Sequence, residues 1–305
     1  MYFLGVSTSG SSSLRMFPAW AQILGLADAQ LVGLDLPLDA STEEYRTVIA
    51  DIRFQPLLRG ALITSHKIHV LEDARDLFDT LSPDAQLCRE ISCVYKRDEQ
   101  LIGHAVDPVT SGRAMRHFLG DAYWYTYRTE VLCLGAGGAA TAILAHLLTH
   151  NEPANQPLSV TLVDTDSTQL DRIRALLVRL PECNVQVRLV HNGDSDVNAD
   201  LMAELPPHSL VINATGMGKD RPGSPITAAA RFPRHGIAWE LNYRGERTFL
   251  QQAQAQAAEQ RLQVVDGWHY FLVGWSAVIE YVFDVTTSEA QFARLAQAAE
   301  SVRNV

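Results

Sequence analysis

The stretch Val131-Leu132-Cys133-Leu134-Gly135-Ala136-Gly137-Gly138-Ala139-Ala140 decides the fold. Its four apolar residues read as a buried strand, and Thr141-Ala142-Ile143-Leu144-Ala145-His146-Leu147-Leu148 reads as the helix that follows. Strand, glycine turn and helix in that order form the context in which such a turn binds a dinucleotide. Gly135 permits the tight bend, Gly137 lets the backbone approach a pyrophosphate, and Ala140 keeps the helix close to the strand. Ala136, Gly138 and Ala139 complete the cradle, where free N–H groups and the positive end of the helix dipole favour phosphate. About 130 residues precede the turn, so a separate part of the molecule is expected there, holding the substrate.

Length and composition agree with that division. A chain of 305 residues exceeds what one core comfortably fills, and two domains are expected. Hydrophobic residues at 47% and charged residues at 20% are ordinary for a globular protein. A formal charge of −10 argues against nucleic acid or an anionic membrane as the main partner, so an anionic ligand needs a local set of donors. Cys88, Cys93, Cys133 and Cys183 show neither disulfide density nor metal-binding spacing, which fits a reducing compartment. The strand-like start at residues 1–5 carries no basic region, and no apolar run reaches membrane-spanning length. A cytoplasmic protein is expected, as monomer or homodimer.

Outward from the glycine turn the pattern alternates. Before it, residues 2–7, 29–36 and 60–64 read as strands, with helices over 14–24, from 41 and from 68. Residues 91–96 and 100–104 form a strand pair, and a connecting helix follows over 108–119. After it, strands are expected over 159–163, 185–190, 210–213 and 236–240, with helices over 170–180 and 248–261. Helices over 271–283 and 288–302 close the chain. The expected architecture is α/β: an open mixed sheet over residues 1–107, completed by residues 267–305, and a doubly wound Rossmann domain over 108–266. An active site is expected where the two domains meet.

The strand after the glycine turn ends in Asp164 and Thr165. A carboxylate there accepts hydrogen bonds from a ribose 2′-hydroxyl and repels a 2′-phosphate, and no arginine stands beside it. The expected cofactor is NAD in preference to NADP. His146 and His150 are spaced i, i+4 but lack the glutamate of a zinc helix, so they and His69 read as surface residues with no metal.

Three further stretches specify more. Thr64-Ser65-His66-Lys67 ends the third strand, Gly103-His104-Ala105-Val106-Asp107 ends the strand before the connecting helix, and Asn213-Ala214-Thr215-Gly216-Met217-Gly218 follows a buried strand. With Ser11-Ser12-Ser13 and Tyr243, and in this order, they resemble the shikimate and quinate dehydrogenase family over nearly the whole chain. The resemblance implies reversible hydride transfer between a nicotinamide cofactor and a secondary alcohol of a small cyclic acid. It implies Lys67 as the acid–base catalyst with Asp107 its partner, and Ser11 and Ser13 as holders of the substrate carboxylate. Tyr243, Thr64, Ser92 and His66 would line the same pocket. Asn213, Ala214 and Thr215 would run along the cofactor, with Leu241 and Gly267 near the nicotinamide.

Departures from the family pattern fall on the substrate side. Ile63 stands where the family has threonine, Ser92 where it has asparagine, and Gly274 where it has a substrate-binding glutamine. Lost partners for ring hydroxyls put shikimate itself in question. They leave open a related ring acid or polyol with fewer or differently placed hydroxyls or an amino group. An aminoshikimate- or carbasugar-type dehydrogenase is one alternative, and a cofactor-bound sensor without turnover is another. Lys67 and Asp107 argue against the sensor, because a pure binder needs no acid–base pair.

Overall fold

The computed structural model describes residues 1–180, 183–219 and 221–303. Two compact units divide the chain: Met1–Asp107 together with Leu272–Val305, and Pro108–Phe271.

Unit 1 begins with β1 (Tyr2–Gly5), α1 (Ser12–Ile23), β2 (Val32–Asp35), α2 (Thr42–Phe54), β3 (Gly60–Ile63) and α3 (Lys67–Ala74). It continues with β4 (Thr80–Leu81), α4 (Pro83–Cys88), β5 (Cys93–Arg97) and β6 (Gln100–His104), and its last residue before unit 2 opens α5 (Asp107–Leu119). The six strands form one sheet in the order β2-β1-β3-β5-β6-β4. β1 pairs in parallel with β2 and β3, β5 runs antiparallel to both β3 and β6, and β4 joins β6 in parallel. The sheet is therefore mixed, as the strand pair before the connecting helix implied. Side chains such as Tyr45, Ile49 and Ile52 from α2 and Val70 from α3 fill the core with Leu4, Ile63 and Val94. α2 is held at its start by a reciprocal cap: Ser41 accepts from the Glu44 backbone N–H, and the Glu44 carboxylate accepts from the Ser41 N–H.

Unit 2 holds α6 (Tyr123–Tyr127), β7 (Val131–Leu134), α7 (Gly138–Thr149), β8 (Ser159–Asp164), α8 (Ser167–Arg179), β9 (Gln186–His191), α9 (Ser195–Ala203), β10 (Leu210–Asn213), β11 (Ile237–Glu240), α10 (Thr248–Gln260) and β12 (Gln263–Val265). Its sheet is parallel throughout, in the order β12-β11-β10-β7-β8-β9. Strand order reverses after β7, so the switch point lies between β7 and β10, the place where open α/β sheets bind ligands. α11 (Trp268–Phe283) starts in this unit and continues into unit 1, where α12 (Glu289–Glu300) ends the helical structure. Within unit 1, the Trp20 indole N–H donates to the Leu295 carbonyl at 2.9 Å, and Phe3 packs edge-on against Trp275. The closing helices are thus tied to the first strand and first helix. Among the described residues, no helix is long and apolar enough to cross a membrane.

Candidate active site

Lys67 is the first residue of α3 and Asp107 the first of α5. Short turns after β3 and β6 present both, and the Lys67 ammonium donates to the Asp107 carboxylate. Each side chain keeps about a fifth of its surface exposed, at 21% and 19%. The pair is thus shielded enough to strengthen the attraction and open enough to meet a ligand. The Ser92 hydroxyl oxygen accepts from the Val106 N–H at 2.9 Å, which fixes the turn that delivers Asp107.

Ser11 caps α1, and its hydroxyl donates to that of Ser13 at 3.0 Å. The Ser11 proton is thus spent on Ser13, which is itself buried, so the Ser13 O–H and the N–H groups at the start of this twelve-residue helix are the donors left for a carboxylate. Thr64 and His66 are turned elsewhere. The Thr64 hydroxyl donates to the Leu4 carbonyl of β1, so it holds the strand end together. His66 is fully buried; its Nε2–H donates to the Leu36 carbonyl and its Nδ1 accepts from the Tyr45 hydroxyl. Burial lowers its pKa, in keeping with this neutral tautomer. The structure therefore places His66 in the packing beneath α3.

Sequence reading passed over Glu90. This side chain is 6% exposed, and its Oε1 lies 3.9 Å from the Lys67 ammonium. Burial, with Asp107 adding to it and Lys67 opposing it, pushes its pKa up to about 7. A carboxylate in a loop ordinarily reads as a solvated charge, and nothing in the local sequence marks this one as buried.

In unit 2 the ends of β7, β8, β9 and β10 surround a cavity of about 470 Å³ lined by Gly135, Gly137, Asp164, Thr165, Ala214 and Thr215. Gly135 has φ +104°, and an added Cβ would fall 2.6 Å from the Ala214 carbonyl oxygen, so only glycine fits. Gly137 has φ −72° and caps α7, but a Cβ there meets nothing within 4 Å among the described residues. That open space beside a helix N-terminus suits a pyrophosphate, and the first turn of α7 carries no acidic residue to compete for its amides. The Asp164 carboxylate accepts from the Ala136 N–H at 2.6 Å and the Asp166 N–H at 2.9 Å. It therefore straps the glycine turn to β8 while retaining further lone pairs for a ribose hydroxyl. These features fit a dinucleotide: residues 135–139 would hold its pyrophosphate, and Asp164 its adenosine ribose.

Asn213 is fully buried; its amide donates to the Glu240 carboxylate at 2.8 Å, and its side-chain oxygen accepts from the Thr215 hydroxyl at 2.7 Å. It shapes the loop, while Ala214 and Thr215 face the cavity. Gly267 runs so close to Leu241 that any Cβ would overlap the Leu241 carbonyl oxygen. Tyr243 packs on Phe271, ring centroids 4.4 Å apart, with Trp268 alongside. It belongs to unit 2, whereas Lys67, Asp107, Ser11, Ser13, Thr64, Ser92 and His66 belong to unit 1. The cavity also takes in Asn192, Gly193 and Ser195 after β9, Asp166 after β8, and Arg221. Sequence reading missed these, although in a parallel sheet every strand end faces the same side and the Asn192-Gly193 turn follows a strand. Among the described residues, no group of three or more His, Cys, Asp or Glu is arranged to hold a metal ion.

No protein-family model matches the chain. It is 27% identical over 190 residues to a shikimate dehydrogenase (NADP(+)) of Streptococcus thermophilus, covering 62% of this chain and 60% of that enzyme, less than two thirds of its length. It is 26% identical over 243 residues to a shikimate dehydrogenase (NADP(+)) of Streptococcus gordonii, covering 79% and 77%. The fold is similar to a shikimate 5-dehydrogenase of Thermus thermophilus in complex with NADP(H) and shikimate, with TM-score 0.73, 22% identity, and 99% and 98% of the two chains covered. It is similar also to a quinate dehydrogenase from Corynebacterium glutamicum in complex with NAD, with TM-score 0.74, 20% identity and 98% of each chain covered. A 5-ketofructose reductase of Gluconobacter in ligand-free form aligns with TM-score 0.71 and 20% identity over 99% and 97%.

Proposed function

We infer that this chain, a shikimate dehydrogenase-like family member, catalyses reversible hydride transfer between a nicotinamide dinucleotide and a secondary alcohol of a cyclic polyhydroxy carboxylic acid. The ion pair of Lys67 and Asp107 carries this reading. Alcohol oxidation requires a base for the hydroxyl proton, and ketone reduction an acid for the nascent alkoxide. Neutral Lys67 takes the proton in one direction, and its ammonium returns it in the other. Asp107 holds that ammonium in place. The bound nicotinamide supplies the hydride acceptor or donor. Ser11 and Ser13, at the start of α1, receive the substrate carboxylate.

Apolar Ile63 at the end of β3 and Ala105 and Val106 in the turn after β6 are buried, and the Thr64 hydroxyl is engaged by β1. Few side-chain hydroxyls or amides remain there for ring hydroxyls, which favours a substrate less decorated than shikimate, or decorated differently. The cofactor half favours NAD. Asp164 and Asp166 line the cavity with Arg221, whose guanidinium is engaged by the Thr215 carbonyl at 2.9 Å, so a 2′-phosphate there meets two carboxylates against one occupied cation. The curated relatives carry NADP(+) in their names, so this residue pair is the point on which the chain would differ from them.

Initial rates with shikimate, quinate and their amino or deoxy relatives, each with NAD and NADP, test the reading. Turnover of at least one ring acid, with higher kcat/KM for NAD, is the expected result. Preference for NADP overturns the cofactor assignment, and absence of turnover on every acid overturns the reaction.

A further inference from the structure

The acid–base pair has a second carboxyl beside it. α4 ends on Arg89 in a left-handed conformation, which turns the chain so that Glu90 and Ile91 run against the start of α3. There the Ile91 N–H donates to the carbonyl of Lys67 itself at 2.9 Å, and the Ser92 N–H to the His104 carbonyl at 3.0 Å. Ile91 is fully buried against Gly103, where an added Cβ would lie 2.7 Å from the Ile91 Cδ1. The residue just after Glu90 is thus bonded to the backbone of the lysine, and the next to β6. The Glu90 side chain is buried. Oε1 lies 3.9 Å from the Lys67 Nζ and has no hydrogen-bond partner among the described residues.

A buried carboxyl oxygen without a hydrogen bond is costly to keep, and in a purely structural position glutamine or an apolar residue would serve better. The return is its effect on the cation it faces. We propose that Glu90 is a positioning residue of the acid–base pair, a second carboxylate that, with Asp107, decides the protonation state in which Lys67 meets the substrate. The proposal rests on the assignment of Lys67 as the acid–base group.

When Glu90 is ionised, two negative charges favour the ammonium, which is the acid needed for ketone reduction. When Glu90 is protonated, Asp107 alone holds the ammonium, and Lys67 more readily becomes the base needed for alcohol oxidation. Burial places this change of charge in the neutral range. The other groups facing the trio do not substitute for it. The Cys93 thiol on β5 is fully buried and kept neutral by that burial and by Asp107. His66 is bonded to Tyr45 and Leu36, and His104 on β6 lies edge-on against Tyr281, its charge disfavoured by burial despite Asp84.

The chain has only three lysines, Lys67, Lys96 and Lys219, so the Lys67 titration can be read directly. The full chain is labelled with ε-13C lysine, and Lys96→Arg and Lys219→Arg assign the resonances. In Glu90→Gln the Lys67 resonance should titrate about one pH unit lower than in the wild type, the size expected for losing one nearby opposite charge. Glu90→Asp should recover part of that shift, and thermal melts establish that each variant is folded. The same titration in wild type and Glu90→Gln overturns the proposal. Should Glu90→Gln not fold, the reciprocal measurement decides. The Glu90 carboxyl 13C resonance should titrate at least about one unit higher in Lys67→Met than in the wild type, and an unchanged value overturns the proposal. These titrations need no substrate. Absence of turnover alongside a shifted Lys67 would therefore count against the reaction assignment while leaving the coupling intact.

Discussion

Glu90 also sets a pH dependence of stability that can be worked from the structure. Its pKa rises from an ordinary 4.5 to about 7, chiefly through burial. Below about pH 4.5 the group is protonated in folded and unfolded chains alike, and its contribution is fully present. Between 4.5 and 7 the unfolded chain releases the proton while the folded chain retains it, so stability falls as pH rises. The loss is complete once pH passes the folded value. A window of about 2.5 units at about 1.4 kcal/mol per unit gives a decline of about 3 kcal/mol. Glu90→Gln removes the titration while keeping the side-chain volume. The variant should therefore gain on the wild type with rising pH, reaching an advantage of about 3 kcal/mol at pH 8 relative to their difference at pH 4. Urea denaturation of both proteins from pH 4 to pH 8 measures this. Glu240, also fully buried and pushed up to about 7, contributes its own decline to both and cancels in the difference. A difference that stays flat across the range refutes the reasoning.

Other outcomes follow from the same structure. Lys67→Met should lower kcat by about a thousandfold while leaving NAD affinity, read by titration calorimetry, unchanged. Gly135→Ala should destabilise unit 2 by at least about 2 kcal/mol in thermal or chemical melts, because φ +104° and the Ala214 carbonyl both exclude a Cβ. Gly137→Val should do the reverse: its Cβ meets open space, so the melt should barely move while cofactor affinity falls at least about tenfold. Asp164→Ser should raise kcat/KM for NADP relative to NAD by about tenfold, since one of two cavity carboxylates is removed.

The nucleotide half was legible because its information is local. Residues 131–140 carry strand, turn and helix in one continuous run, and Gly135 keeps its backbone reason in the structure. Lys67 and Asp107 were singled out through the family resemblance, and the structure brings their side chains together from the ends of two strands. Orientation was not legible. Adjacent residues in a turn diverge, so the sequence neighbour His66 goes down toward Tyr45 while Lys67 remains partly open. Thr64 offered a spare hydroxyl in the sequence, but the end of β1 accepts it. Glu90 lay furthest from view, because only the pairing of its segment with the start of α3 buries it. The short strands β4 and β12, of two and three residues, gave no period to detect. Helix α9, though nine residues long, was also absent from the sequence reading; its hydrophobic pattern is weak, and only Asn198 and Met202 are buried.

The central claim is that Lys67 and Asp107 serve a hydride transfer from a carbinol carbon to a nicotinamide. Transfer of label tests it most directly. A cyclic polyhydroxy acid that the enzyme turns over is deuterated at the carbon bearing the reacting hydroxyl, and the reduced cofactor is analysed by mass spectrometry. Deuterium should appear in the cofactor one for one with ketone formed, and Lys67→Met should show almost none over the same time. Ketone formed without deuterium in the cofactor, or full transfer by Lys67→Met, would contradict the account.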